Sequence, residues 1–153
     1  MDARFWRLNA HTAGMMNYIY VAVGSAVGGV ARFVVGTWLQ SRLDDWAPRT
    51  SVPPLLPFPI GTLIVNVTGS LLLGVILVVV SRQGPFANAT RLLLAVGLCG
   101  GYTTFSTFSA DTLGLLENGG GTLAALNVVA SVGAGLAAVF AGAYLARLAL
   151  GRV

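Results

Sequence analysis

Long apolar runs alternate with short polar breaks along this chain. Four runs, near residues 17–40, 58–81, 89–117 and 122–148, carry almost no charge. Each reaches the length of about 20 residues that a helix needs to cross hydrocarbon. The pattern predicts an all-α membrane protein with four transmembrane helices at 17–148, between a polar tail at 1–16 and a short one at 149–153. A cleavable leader is not expected, because the first apolar run is too long and lacks a cleavage pattern. Between the first two runs, prolines 53, 54, 57 and 59 exclude regular helix and then suit the first turn of the next one. Gly84 and Pro85, and residues 117–121, signal the other two turns.

Within the runs, small and polar residues recur at fourfold spacing, which places them on single helix faces. In the first run Gly24 and Gly28 form a flat face suited to close helix approach, with Arg32 one turn further on. An intramembrane arginine is costly, so a structural pairing with carbonyls or a loop is the expected role of Arg32. In the second run Thr62, Asn66, Ser70 and Gly74 make one stripe, and in the fourth Asn127, Ser131 and Gly135 make another. An amide at such depth needs partners, either on a neighbouring helix or on a ligand.

The third run departs from simple helix chemistry at GLCGGYTTFSTFSAD, residues 97–111. Two adjacent glycines followed by residues of modest helix propensity predict a break at Gly100 and Gly101. In lipid, carbonyls stranded by a break must face protein, water or an ion. Two readings follow: a kink filled by packed aromatics, or a broken helix whose carbonyls hold a cation and whose phenylalanines line a passage. Phe105 and Phe108 are i, i+3 neighbours on one face, with Asp111 at the next such position.

Composition narrows the function classes. Hydrophobic residues make up 56% of the 153, and charged residues only 9%. The net charge of +4 comes from arginine alone, and these arginines lie near helix ends rather than on one face. They read as interfacial anchors and not as a nucleic-acid footprint. His11 belongs to the solvated tail, and the single cysteine, Cys99, reads as a small packing residue. The chain offers no paired acid and base, no metal-ligand cluster and no nucleophilic triad, so conduction or transport is expected rather than catalysis.

GGVARF in the first run, PIGTLIVNVTGSLLLG in the second and GLCGGYTTFSTFS in the third together resemble the CrcB/Fluc fluoride ion channels, across roughly residues 18–148. The resemblance implies an antiparallel, dual-topology homodimer in the plasma membrane, with two fluoride pores along the subunit interface. It implies passive fluoride export and a central structural Na+ held by backbone carbonyls of Gly100 and Thr103 from both subunits. It also matches Asn66, Phe105 and Phe108 to the pore lining and Arg32 to the first-span arginine. Ser131 matches the fourth-span pore serine, and Ser70 extends the polar stripe below Asn66. One departure stands out: the family's tyrosine four residues before that serine is Asn127 here, and a second serine one turn further on is Gly135.

Two other readings are weighed against this one. A proton-coupled multidrug exporter needs an acid embedded in the first span, which holds none. A packing-only scaffold does not call for aligned polar stripes on two helices. Arginines 4, 7, 82, 91, 147 and 152 fall on the side of both termini, against 42 and 49 on the other, which favours termini inside. An antiparallel homodimer needs a nearer balance, so a paired homologous subunit is an alternative to self-association.

Overall fold

The computed structural model describes residues 3–46, 58–84 and 87–151. Prolines 53, 54, 57 and 85, Arg49 and Arg152 lie outside the described residues, as do the side chains of residues 3–13. All regular structure among the described residues is helical. Helix α1 runs Ala3–Trp46, so the helix of the first span continues back through most of the polar tail. Helix α2 is Ile60–Val80, with Pro59 at its N-cap. The third span comprises α3 (Ala87–Thr90), a π-helical stretch (Arg91–Cys99), α4 (Gly100–Tyr102) and α5 (Phe105–Glu117). Helix α6 is Gly121–Ala149. Among the described residues, four segments are long and apolar enough to cross a membrane: Gly14–Arg42, Ile60–Val80, Ala87–Glu117 and Gly121–Ala149.

Helix pairing follows the glycine faces. Without a hydrophobic drive between helices in lipid, close backbone approach and dispersion hold them together, and only small residues permit it. A Cβ on Gly74 of α2 would collide with the backbone oxygen of Val139 on α6, and one on Gly142 of α6 with that of Leu71 on α2. The α2–α6 contact is therefore reciprocal, backbone against backbone, and it is one of the two extensive helix pairings among the described residues, with that of α1 against the third span. Helix α1 uses Gly24 and Gly28 in the same way, against the backbones of Leu93 and Leu98 in the π-helical stretch. Gly24 and Gly97 share one crossing, where a Cβ on Gly97 would sit 2.9 Å from the Gly24 Cα.

The third span is broken, but not at the glycines. Gly100 has ordinary right-handed helical angles (φ −64°, ψ −34°), and Gly100–Tyr102 is still helix. The chain leaves helical geometry at Thr103 (φ −79°, ψ 155°) and Thr104 (φ −147°, ψ 115°). The expected break at Gly100 and Gly101 is thus corrected by three residues. Gly101 is instead a packing residue, since a Cβ there would lie 2.5 Å from the Ser25 oxygen on α1. The break falls where Thr104 has better partners outside the helix: Asn66 takes its backbone, and its own hydroxyl caps α5 by accepting from the Thr107 N–H at 3.1 Å.

Between 11% and 33% of each span is buried within the single chain. Large apolar side chains such as Val27, Phe33, Trp38, Leu136 and Phe140 point outward, as lipid contact or subunit contact requires.

The glycine contacts make a direct test. Gly74→Leu and Gly142→Leu should each destabilise the fold by about 3 kcal/mol or more, because the obstruction is backbone that cannot rotate away. Gly133→Leu, with open space around its Cα, should be near neutral. Thermal unfolding of the detergent-solubilised protein measures the difference.

Candidate functional site

The centre of the site is a pair of hydrogen bonds between α2 and the break. The Thr104 N–H donates to Asn66 Oδ1 at 2.7 Å, and Asn66 Nδ2 donates to the Thr104 carbonyl at 3.1 Å. One amide side chain thus satisfies both polar groups of a peptide residue that left the helix, in a residue only 7% exposed. Asn66 has two amide hydrogens, and this pairing uses one of them.

The same geometry frees carbonyls on the other side of the break. In an uninterrupted helix Gly100 O would accept from the Thr104 N–H, and Thr103 O from the Thr107 N–H. Here those donors go to Asn66 and to the Thr104 hydroxyl. Thr103 itself donates twice to Cys99 O, from its N–H and its Oγ1, both at 2.9 Å. Gly100 is exposed, and a Cβ there would meet nothing within the chain.

Two clefts flank the break and share Thr104 as a wall. The wider, about 780 Å³, lies between the end of α1 and the start of α2, where Arg32, Gln40, Thr62, Thr107 and Asp111 stand among apolar neighbours such as Phe33 and Val65. Thr62 Oγ1 donates to Asp111 Oδ2 at 2.7 Å, tying α2 to α5. Arg32 lines the same cleft as this carboxylate.

The narrower cleft, about 330 Å³, brings together Asn66, Ser70, Thr103, Phe105, Phe108 and Ser131, with Gly100 on its edge. The two phenyl rings stand 5.4 Å apart at 47°, so their edges and faces are offset. Ring edges are weakly positive, while the ring body sheds water. With the spare amide hydrogen and two hydroxyls opposite, this wall can exchange donors for the hydration shell of a small anion. Phe105 is 80% exposed, so a single chain leaves one side of this cleft open.

Asn127 lies elsewhere. It is only 2% exposed, packed between α5 and α6, and its Nδ2 donates to Thr112 Oγ1 at 2.9 Å. Its side chain does not line either cleft. Gly135 faces α2, where a Cβ would come within ordinary contact, 3.7 Å, of Ser70 Oγ. Sequence reasoning did not single out Thr104, whose backbone is the partner of Asn66. Its only signal was its place at the foot of the break, as an N-cap type residue three before Thr107.

A family model described as CrcB-like protein, Camphor Resistance (CrcB), matches residues 19–143. The fluoride-specific ion channel FluC of Roseiflexus sp. (strain RS-1) is 41% identical over 133 residues, covering 87% of this chain and 98% of its own length. FluC of Agrobacterium fabrum (strain C58) is 42% identical over 138 residues, covering 90% and 98%. FluC 1 of Streptomyces avermitilis is 43% identical over 132 residues, covering 86% and 97%.

The Asn66–Thr104 pairing predicts a graded loss. Asn66→Leu orphans a buried N–H and a buried carbonyl and should cost about 2–5 kcal/mol. Asn66→Asp keeps the acceptor for the Thr104 N–H and loses the donor, so its cost should be roughly half, read by thermal unfolding.

Proposed function

The chain belongs to the CrcB-like family, and on that premise we propose that it is a fluoride-specific channel of the plasma membrane that lets fluoride leave the cytoplasm passively. The observation that carries this reading is the narrow cleft itself, where Phe105 and Phe108 face Asn66, Ser70 and Ser131 beside the break. Fluoride is small and strongly hydrated, so its passage depends on donors that replace water. The free Asn66 amide hydrogen and the serine hydroxyls supply them, and the phenyl edges extend a favourable wall without fixed charge. The wide cleft, with Arg32 beside the break, offers the anion a polar approach from the face opposite the termini. No enzymatic step is involved, and no coupling acid is required of the first span.

The functional unit in this reading is a dimer. Phe105 is almost bare in one chain, and most of each span's surface faces outward, so a second copy would close the cleft. An antiparallel homodimer is the simplest arrangement, and a homologous subunit of opposite orientation would serve equally.

A structural Na+ fits the donor set at the break. The carbonyls of Gly100 and Thr103 lack their usual helical donors, and no cluster of His, Cys, Asp or Glu exists among the described residues. Two copies of two neutral oxygens suit a monovalent cation better than a divalent one. When bound there, the ion would add positive potential near the anion path, and these carbonyls would hold it without a charged side chain.

Fluoride efflux from liposomes, followed with a fluoride electrode, tests the channel reading. Rapid fluoride efflux with chloride retained is expected, and equal efflux from protein-free liposomes would overturn it. For the cation, Gly100→Leu should leave the single chain folded, since its Cβ has open space, yet impair dimer formation and flux. Thr103→Ser should retain both, because the backbone oxygen is the ligand. Exchange of Na+ for a large organic cation should lower flux or loosen the dimer, read by size-exclusion chromatography and efflux. Flux and dimer unchanged in a sodium-free medium would remove the cation from the scheme.

A further inference from the structure

Three hydrogen bonds connect the inner face of α5 to Ser131 through Asn127. Thr112 Oγ1 donates to the Phe108 carbonyl at 2.7 Å, Asn127 Nδ2 donates to Thr112 Oγ1 at 2.9 Å, and Ser131 Oγ donates to Asn127 Oδ1 at 3.4 Å. The direction of this relay is determined by its first member. Thr112 has one hydroxyl proton and gives it to Phe108, so it can only accept from Asn127. The Asn127 amide must therefore turn its NH2 to Thr112 and its oxygen to Ser131. That oxygen is acceptor-only, so Ser131 spends its single proton on it. Asn127 is 2% exposed and packed between α5 and α6, so its amide is shielded from solvent and relies on these two partners.

The consequence falls on the narrow cleft. Ser131 lines it, yet with its proton drawn towards Asn127 it turns lone pairs to the cavity. Lone pairs repel an anion. The bond that holds the proton is long, 3.4 Å against the usual 2.7–2.8 Å for O–H···O, so it is weak and easily exchanged. We propose that Asn127 is a positioning residue that withholds the Ser131 proton from the empty cleft, and that an entering anion must take that proton's hydrogen bond away from Asn127. Asn127 never touches the anion; it sets how strongly Ser131 can. The inference rests on the fluoride-channel reading and adds to it a residue that tunes apparent affinity.

The test is the fluoride concentration giving half-maximal flux, measured on the full chain in liposomes. Asn127→Leu keeps similar size and removes the competing acceptor, so Ser131 is free to donate to fluoride. Half-saturation should fall about two- to tenfold, the span of one ordinary net hydrogen bond. Thr112→Val leaves Asn127 in place but releases its amide to turn, and should shift half-saturation the same way by a smaller factor. In a Ser131→Ala background both shifts should vanish. A merely structural Asn127 would change thermal stability alone, so unchanged half-saturation in Asn127→Leu overturns the proposal, as does a shift that persists without the Ser131 hydroxyl. Should Asn127→Leu not assemble, Thr112→Val decides by the same criterion. Unmodified protein without fluoride flux would sink the channel reading and this inference together; normal flux with unshifted variants sinks the inference alone.

Discussion

A peptide group that abandons helical geometry inside a membrane has no water to turn to, so its partners must come from the protein. At Thr104 both come from one side chain, Asn66, which accepts at 2.7 Å and donates at 3.1 Å. The remainder of the arrangement hangs on that exchange. It diverts the N–H that would have closed the helix onto Gly100, lets the Thr104 hydroxyl start α5, and turns Phe105 and Phe108 onto the cleft that Asn66 also lines.

Holding Asn66 at the right height requires that α2 itself be immobile. Its bare glycine faces serve that end. Gly74 and Gly142 interlock α2 with α6, and Gly69 lets α2 approach the break so closely that a Cβ there would meet Thr103 and Tyr102 at 2.5 and 2.9 Å. On the far side, Gly24 and Gly28 seat the π-helical stretch against α1. Further polar ties reinforce the frame: Thr62 to Asp111, and Arg82 to the two carbonyls just past the end of α6, donating to Leu150 O at 2.9 Å and Gly151 O at 2.8 Å. The intramembrane polar groups are thus spent mainly on one another. What is left over, an amide hydrogen and weakly held hydroxyls, is what a small anion can use.

Several features were legible along the chain because they depend on local chemistry. Span number and rough length follow from apolar run length alone, and the ends differ by only a few residues, except where α1 runs on at both ends. The flat face of Gly24 and Gly28, the stripe from Thr62 to Gly74 and the shared face of Phe105 and Phe108 follow from helical periodicity, which packing did not disturb. That the third span must be irregular was readable from its composition.

Where it breaks was not readable, because local propensity pointed to Gly100 and Gly101 while the deciding bonds come from Asn66, 38 residues away in the chain. Glycine permits a break but does not compel one; at Gly101 its missing side chain serves contact with Ser25 instead. The stripe of Asn127 and Ser131 likewise shares a helix face, yet a small difference in azimuth puts one inside the α5–α6 seam and the other at the cleft. Periodicity specifies which residues lie together on a helix. Only the neighbouring helices decide which of them meet a partner, which a cavity, and in which direction a hydroxyl proton points.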